Sequence, residues 1–247
     1  MTAQMTFTLH IWRQENQQSC GAFETYSIDN IDADTSFLEM LDQLNERLII
    51  NGEDAIVFDY DCREGICGAC SLVINGYPHG EQVRTTTCQL YMREYAQENE
   101  LWIEPWRAKS FPVVKDLTVD RSAFDTIIQA GGFVSVHTGS AADANTTLVN
   151  KAQADDAFNS ATCIGCGACV AACPNASASL FVAAKINHLE QLPQGKIESH
   201  TRAKRMSEAM FNNGFGVCSN HRHCEAQCPK SISVSNISEM NKIIGWR

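Results

Sequence analysis

The cysteines of this chain stand in spaced runs rather than scattered along the sequence. The first run reads CREGICGAC and has Cys-x4-Cys-x2-Cys spacing, with a further cysteine eighteen residues later. This is the plant-type spacing for a 2Fe-2S cluster, in which four thiolates converge on two irons. Gly65, Gly68 and Ala69 are small enough for backbone amides to approach the sulfurs. A structural zinc site is the alternative, although zinc loops usually pair cysteines two residues apart. The predicted 2Fe-2S ligands are Cys62, Cys67, Cys70 and Cys88.

A second run, CIGCGACVAACP, has Cys-x2-Cys-x2-Cys-x3-Cys-Pro spacing. In this bacterial ferredoxin pattern three cysteines bind one cubane, and the cysteine before proline binds a different cluster. A partial copy, CSNHRHCEAQCP, has Cys-x5-Cys-x3-Cys-Pro spacing. Pro174 and Pro229 follow the two runs, and each is expected at the first position of a helix, where a missing N–H costs little.

Exchange of the cysteines before proline allocates the ligands of two further clusters. A 4Fe-4S cluster is assigned to Cys163, Cys166, Cys169 and Cys228, and a 3Fe-4S cluster to Cys173, Cys218 and Cys224. His221 stands where the middle cysteine of a complete run would be, so an imidazole-completed 4Fe-4S cluster is the alternative at the third site. Cys20 is left over and is expected to be an ordinary thiol between the first two strands.

Composition limits the class of protein. The chain has 247 residues, 12 cysteines and no basic segment followed by an apolar one at its start, so its cysteines are expected to bind metal in the cytoplasm rather than form disulfides. A net charge of −10, from 19 basic and 29 acidic residues, argues against nucleic acid as a partner. No stretch approaches the ~18 apolar residues of a membrane-spanning helix.

The first half has the patterns of a small α+β domain. Alternating residues from Thr6 to Trp12 and from Phe23 to Ile28 predict a hairpin. Ser36 and Glu39 form a capping-box signature ahead of an amphipathic helix. Further short strands are expected in three apolar runs: Ala55 to Tyr60, Ser71 to Ile74, and Leu101 to Trp106.

The second half is expected to be mostly α-helical. Strand patterning ends near the mixed segment around Pro112, and the domains are placed at 1–117 and 118–247. Arg202 to Phe211 and Ser235 to Ile244 have helical spacing. Residues 138–162 are expected to form a surface loop and one weak helix.

The sequence contains no motif for substrate chemistry of its own. No G-x-G-x-x-G follows a strand, and neither a P-loop nor a Ser/His/Asp arrangement is recognisable. Five histidines lack a partner pattern and are expected to be ordinary surface or core residues: His79, His137, His188, His200 and His223. A chain with three unlike clusters is therefore expected to pass electrons between partners.

In the order and spacing of these motifs the chain resembles the iron–sulfur subunit of succinate dehydrogenase and fumarate reductase. The resemblance covers nearly the whole chain, including FPVVKDLTVD at 111–120, which is similar to the family's interdomain linker. It implies a β-grasp, plant-type ferredoxin domain followed by a mainly α bacterial-ferredoxin-like domain. It also implies an FAD flavoprotein partner that oxidises succinate, and a membrane anchor, with haem in some cases, where quinone is reduced. The subunit is then peripheral, on the cytoplasmic face of the inner membrane.

Carried over residue by residue, the resemblance places the 2Fe-2S cluster nearest the flavin, the 4Fe-4S cluster in the middle and the 3Fe-4S cluster nearest the quinone. Pro174, Ser219 and His221 are the quinone-side candidates. The sequence departs from the family at two places. The segment NASASLF follows Pro174, where many members have bulky aromatics including a tryptophan, and Ser219 replaces a histidine found in some members.

Two other functions compete with this one. The chain could belong to another flavoprotein complex, glycolate-oxidase-like or heterodisulfide-reductase-like, or it could be a zinc-bound structural adaptor.

Overall fold

A five-stranded mixed sheet forms the first half of the chain. The computed structural model describes residues 4–136, 139–140, 143 and 146–245. The strands follow the order β2-β1-β5-β3-β4; β1 pairs antiparallel with β2 and parallel with β5, and β3 pairs antiparallel with both β4 and β5. Their bounds are β1 Met5–Arg13, β2 Ala22–Ile31, β3 Val73–Ile74, β4 Tyr77–Pro78 and β5 Glu100–Glu104.

Helix α1, Phe37–Ile50, packs against this sheet. The capping box predicted from sequence is present: the Ser36 hydroxyl accepts from the Glu39 backbone N–H, and the Glu39 carboxylate accepts from the Ser36 N–H. Phe37, Leu41 and Leu44 lie on the buried side of α1 and meet Leu9 of β1 in one core.

The apolar run Ala55 to Tyr60 is not a strand, so that prediction is wrong. Its backbone groups are bound by side chains and by one distant backbone group rather than by a neighbouring strand. Asn45 of α1 accepts from the Ile56 N–H and donates to the Ile56 carbonyl. The Val57 N–H donates to the buried Asp116 carboxylate, and the Val57 carbonyl accepts from the Leu117 N–H.

Helices dominate the second half, as predicted. A small hairpin, β6 Val113–Lys115 and β7 Thr118–Val119, precedes them. The helices are α2 Ser122–Gly131, α3 Lys151–Ala161, α4 Ala168–Ala171, α5 Ser179–Glu190, α6 Ser199–Asn212, α7 His223–Ala226 and α8 Ser235–Ile244. Helix α3 is the helix expected within 138–162; positions 138, 141–142 and 144–145 of that range lie outside the described residues.

Helix α5 is the central helix of the second core. Residues on all its sides are buried, which is typical of a helix enclosed by its neighbours. Helices α3, α6 and α8 pack around it. The segment between the two halves belongs to both cores: Leu117 lies in the first, whereas Trp106 and Phe111 lie in the second. The fold class predicted from sequence is confirmed by this architecture together with the comparisons given below. The boundary at 117/118 stays a prediction.

Candidate cluster-binding site

The first cysteine loop, residues 62–70, bends through three positive backbone φ angles. They occur at Arg63, Gly65 and Gly68, at 55°, 72° and 73°. The bends turn backbone N–H groups towards sulfur: Glu64 N lies 3.3 Å from the Cys62 Sγ, and Ala69 N lies 3.4 Å from the Cys67 Sγ. N–H groups aimed at thiolates stabilise their negative charge and contribute to the potential of a bound cluster.

The four cysteines of the first group include a closely interacting pair. The hydrogen bond between the Cys70 and Cys88 thiols lowers the pKa of Cys88 to about 5 and raises that of Cys70. Backbone N–H groups of Glu64 and Ile66 lower the pKa of Cys62 to about 7. The Thr86 hydroxyl adds a contact of 3.2 Å to the Cys88 Sγ. These contacts therefore favour the thiolate form of Cys62 and Cys88.

The second group lines a small cavity inside the helical domain. Its cysteines come from the second cysteine loop, residues 163–169, and from Cys228 near the end of the chain. Apolar side chains of Phe124, Leu180 and Phe181 close the cavity. Phe124 and Phe181 are stacked with ring centroids 3.8 Å apart. The lining cysteines are Cys163, Cys166, Cys169 and Cys228, the set that the exchange of fourth ligands predicts.

Burial raises the pKa values of the thiols in this second group. Desolvation raises the pKa of the Cys166 thiol to about 12, and it raises that of Cys169 well above its ordinary value. Neighbouring cysteine sulfurs of the group raise both pKa values further. Such thiols become thiolates when a cation is bound among them, because a coordinated thiol is deprotonated. The donor set therefore fits an iron–sulfur cluster.

The third group lines a separate cavity, which shares Leu180 with the second. Cys173, Cys218 and Cys224 surround it together with Ser177 and Ser179. Desolvation, with smaller contributions from Cys173 and Cys218, raises the pKa of Cys224 to about 11. The described residues thus place three thiols here and four in the second group; their ligand roles stay predictions.

The two prolines of the ferredoxin-type runs are not at the first position of a helix, contrary to prediction. Each occupies the second position of a tight turn, which suits its fixed φ. The Ala176 N–H donates to the Cys173 carbonyl at 2.8 Å, and the Ser231 N–H donates to the Cys228 carbonyl at 3.1 Å. Helices α5 and α8 begin only at Ser179 and Ser235.

The turn after Cys173 is tied to the segment before Cys218. Asn175 Nδ2 lies 2.8 Å from both the Val217 carbonyl and the Ser219 Oγ. A Cβ on Gly216 would approach the Asn175 carbonyl oxygen to 1.8 Å, so only glycine allows this contact. Of the quinone-side candidates, Pro174, Ser219 and His221 are all exposed, and the last two line the third cavity.

The first and second cysteine loops meet at a junction between the domains. The Cys166 carbonyl accepts from three groups: Trp106 Nε1 at 2.8 Å, Ser71 Oγ at 3.1 Å and Arg121 Nη1 at 3.3 Å. Arg121 Nη1 also donates to the Gly68 carbonyl. Sequence reasoning missed these residues, because the contacts join positions far apart in the chain and no spacing pattern signals them.

His79 lies beside this junction. It is 1% exposed and packs edge-to-face against Trp106, with ring centroids 5.2 Å apart. Its Nδ1 accepts from the Thr87 N–H at 3.2 Å, which places the proton of the neutral ring on Nε2. Burial, followed by the charge of Arg121, lowers the pKa of His79 to about 3. His79 is thus a neutral core histidine, within the range of roles expected for it.

Cys20 and the described histidines among those expected to be ordinary residues differ in exposure. Cys20 is exposed in the connection between β1 and β2. His188 is partly buried, His200 and His223 are exposed, and His137 lies outside the described residues. In the described ranges, no cluster of three or more His, Cys, Asp or Glu side chains is arranged to hold a single metal ion.

Each of the two cysteine-bearing parts of the chain matches the model of a known family of iron–sulfur domains. Residues 8–126 match the model of a 2Fe-2S iron-sulfur cluster binding domain, and residues 155–229 match that of a 4Fe-4S dicluster domain. The chain is an iron–sulfur protein with one domain of each kind.

Curated relatives then specify the family. The chain is 27% identical to the succinate dehydrogenase iron-sulfur subunit of Bacillus subtilis, over 98% of this chain and 94% of that protein. It is 25% identical to the fumarate reductase iron-sulfur subunit of Escherichia coli O6:H1, over 86% of this chain and 82% of that protein. The chain is similar to these iron–sulfur subunits along most of its length, which confirms the resemblance drawn from its motifs.

A solved structure has the same fold. It is described as the Mycobacterium smegmatis Sdh1 complex in the apo form, and it matches with a TM-score of 0.69 and 17% identity over 98% of this chain and 97% of that one. Within the described residues, no helix has the length and apolar character needed to cross a bilayer.

Proposed function

We propose that this chain relays electrons between FAD in a flavoprotein partner and a quinone at a membrane anchor, in a succinate:quinone oxidoreductase. The observation that carries the proposal is the position of the three cysteine groups. The first and second groups meet at the domain junction, and the second and third share the two ferredoxin-type runs, each run giving its last cysteine to the other group's cavity. Such a series suits stepwise electron transfer.

The ligand sets follow the three groups. Cys62, Cys67, Cys70 and Cys88 would hold a 2Fe-2S cluster. Cys163, Cys166, Cys169 and Cys228 would hold a 4Fe-4S cluster, and Cys173, Cys218 and Cys224 a 3Fe-4S cluster. Each cluster, when bound, supplies a site that gains and loses one electron. The domain division at 117/118 belongs to the same proposal.

The protein's own residues do two things for this relay. Backbone N–H groups in the first cysteine loop stabilise thiolate charge at Cys62 and Cys67. Aromatic rings around the second cavity exclude water, which keeps electrostatic effects strong there.

The third group would face the quinone. Pro174, Ser219 and His221 are exposed beside it, as an interface with a membrane anchor requires. Ser177 to Leu180 are buried, so in the segment after Cys173 only Pro174–Ala176 would be accessible to the anchor. The assembly would lie on the cytoplasmic face of the inner membrane, with haem, where present, in the anchor.

Metal and sulfide analysis of the full chain tests the proposal. The three clusters correspond to about nine irons and about ten acid-labile sulfides per chain, the sums of their formulas. Zinc without sulfide would indicate a structural adaptor instead. Co-purification with a large flavoprotein that reduces fumarate or oxidises succinate supports the assignment. A flavoprotein partner that oxidises glycolate, or a disulfide-reducing partner, would contradict it.

The isolated chain should not oxidise succinate, because no flavin-binding motif accompanies the cysteine runs. We expect no dye reduction from succinate by the flavin-free chain and measurable reduction once the flavoprotein is added. Activity of the flavin-free chain alone would contradict the relay role.

A further inference from the structure

The junction between the cysteine loops contains one cationic side chain, Arg121, that binds the backbone of both loops. Its Nη1 donates to the Gly68 carbonyl in the first loop and lies 3.3 Å from the Cys166 carbonyl oxygen and 3.5 Å from the Gly165 carbonyl oxygen in the second. One guanidinium nitrogen thus contacts three carbonyl oxygens from two segments that are about a hundred residues apart in the chain. The Arg121 side chain forms a bridge between the two loops.

The surroundings keep this bridge in place. Arg121 directly precedes α2, whose first turn is fixed by the Asp120 carboxylate accepting from the Ser122 N–H at 2.8 Å. The loops are in backbone contact at the same point, since a Cβ on Gly68 would lie 2.4 Å from the Ile164 carbonyl oxygen. The backbone segments that the bridge joins are therefore held in place.

The positive charge acts on groups of both loops. Arg121 Nη1 contacts the carbonyl of Gly68, which directly follows Cys67, and the carbonyl of Cys166 itself, so the charge lies beside a cysteine of each loop. A fixed cation near a cluster favours the more negative, reduced form. Because Arg121 is shared, its charge would favour reduction at both sites.

We propose that Arg121 is a positioning residue that holds the first cysteine loop against the second and that its charge raises the reduction potentials of the clusters on both. The proposal rests on the proposed function, because it requires clusters in both loops. The step it serves is the transfer of one electron: the donor cluster is oxidised by one electron and the acceptor cluster is reduced by one, with no proton transferred and no bond formed or broken.

Three variants of the full chain with its clusters test the role. Arg121→Met removes the charge and the bridge, and Arg205→Met removes an exposed arginine of α6 as a charge-matched control. Arg121→Lys keeps the charge on a side chain one bond shorter, whose ammonium is held farther from the three carbonyl oxygens than Nη1 is. The readouts are the midpoint potential of each cluster and the magnetic interaction between the two reduced clusters, both measured by electron paramagnetic resonance.

We expect Arg121→Met to lower the equilibrium constant for reduction of the 4Fe-4S cluster about tenfold, which is about 59 mV for one electron. Arg121→Lys should keep most of the potential, yet both variants should weaken the magnetic interaction. Arg205→Met should change neither. A difference in potential between the lysine and methionine variants would not arise from a purely structural role.

Unchanged potentials and magnetic interaction in Arg121→Met overturn the proposal. If that variant does not fold, an unchanged magnetic interaction in Arg121→Lys and in Arg121→Gln overturns it equally. Absence of the 2Fe-2S or 4Fe-4S signal from the unsubstituted chain would contradict the proposed function itself, and with it this role of Arg121. The two failures are thus distinguishable.

Discussion

Individual cysteines in this chain differ in burial and in partners, and these differences decide what each substitution should do. Cys67 is partly buried in the first cysteine loop, where its sulfur faces the Ala69 N–H. Cys20 is an exposed thiol in the β1–β2 connection. The same change at these two positions therefore separates loss of a cluster ligand from loss of a thiol.

We expect Cys67→Ala to abolish the 2Fe-2S signal and leave the 4Fe-4S and 3Fe-4S signals, because the two halves have separate hydrophobic cores. Electron delivery from flavin to quinone should then stop, although succinate should still reduce the flavin. Cys20→Ala should retain all three signals in the same spectra. Loss of every cluster in Cys67→Ala would show that the halves do not fold independently and that the boundary at 117/118 is misplaced.

His221 decides the identity of the third cluster. It is exposed at the rim of the third cavity, with its ring 6.2 Å from that of His223 between centroids. We expect His221→Ala to retain a paramagnetic, oxidised 3Fe-4S signal and to change at most its potential or its contact with quinone. Cys218→Ala, the ligand control, should lose the signal. Four-iron behaviour in the unsubstituted chain that disappears in His221→Ala would identify the imidazole as a ligand.

At the scale of secondary-structure elements, α1 depends on its capping box. Ser36→Ala should lower the free energy of unfolding by about 1 kcal/mol, the usual contribution of an N-cap side chain. Chemical denaturation of the full chain measures this change. Ser238→Ala, at an exposed position within α8, makes the same chemical change without removing a cap and should have a much smaller effect.

The other half of the capping box adds a pH dependence. Hydrogen bonds from the Ser36 backbone N–H and hydroxyl lower the pKa of Glu39 below its ordinary value of 4.5. A carboxyl whose pKa is lower in the folded state stabilises that state above its unfolded pKa, and the stabilisation is lost as pH falls through the folded pKa. The effect of Ser36→Ala should therefore be larger at pH 7 than at pH 3. Equal effects at both pH values would contradict this role of the ionised carboxylate.

Secondary-structure elements could be predicted from the sequence where the interactions that form them join residues close together in the chain. Helix α1 was predictable because its cap and its apolar face are both encoded within 36–50. The segment 55–60 was not, because its backbone partners are Asn45 and Asp116, and only the tertiary fold brings them near. The grouping of cysteines could be expected from spacing alone, whereas Arg121 and Trp106 bind Cys166 across 45 and 60 positions and carry no pattern.

At the scale of the whole molecule, the close approach of the two cysteine loops is the feature that joins the domains. Trp106 and Ser71 lie in the 2Fe-2S domain, residues 8–126, and both donate to the carbonyl of Cys166 in the 4Fe-4S dicluster domain, residues 155–229. Gly68 allows the contact because it has no side chain. The distance between the clusters should therefore depend on this one glycine.

Gly68→Ala tests that dependence, and Gly52 supplies a matched control. Both glycines have φ near +75°, at 73° and 75°, so alanine costs about 1–2 kcal/mol of backbone strain at either position. A Cβ at Gly52 meets nothing within 4 Å, whereas at Gly68 it would lie 2.4 Å from the Ile164 carbonyl oxygen. The extra loss of unfolding free energy in Gly68→Ala should be about 1–3 kcal/mol, as for an overpacked contact.

The atom that faces Gly68 is a backbone oxygen, that of Ile164. The clash introduced by the alanine methyl group can therefore be relieved only by movement of a cysteine loop, not by rotation of a side chain. We therefore expect Gly68→Ala, but not Gly52→Ala, to weaken the magnetic interaction between the reduced 2Fe-2S and 4Fe-4S clusters and to slow electron delivery to quinone. Equal stability and equal magnetic interaction in the two variants would show that the loops have room for a methyl group between them. The junction would then not fix the distance between the clusters, and some other contact between the cores would have to do so.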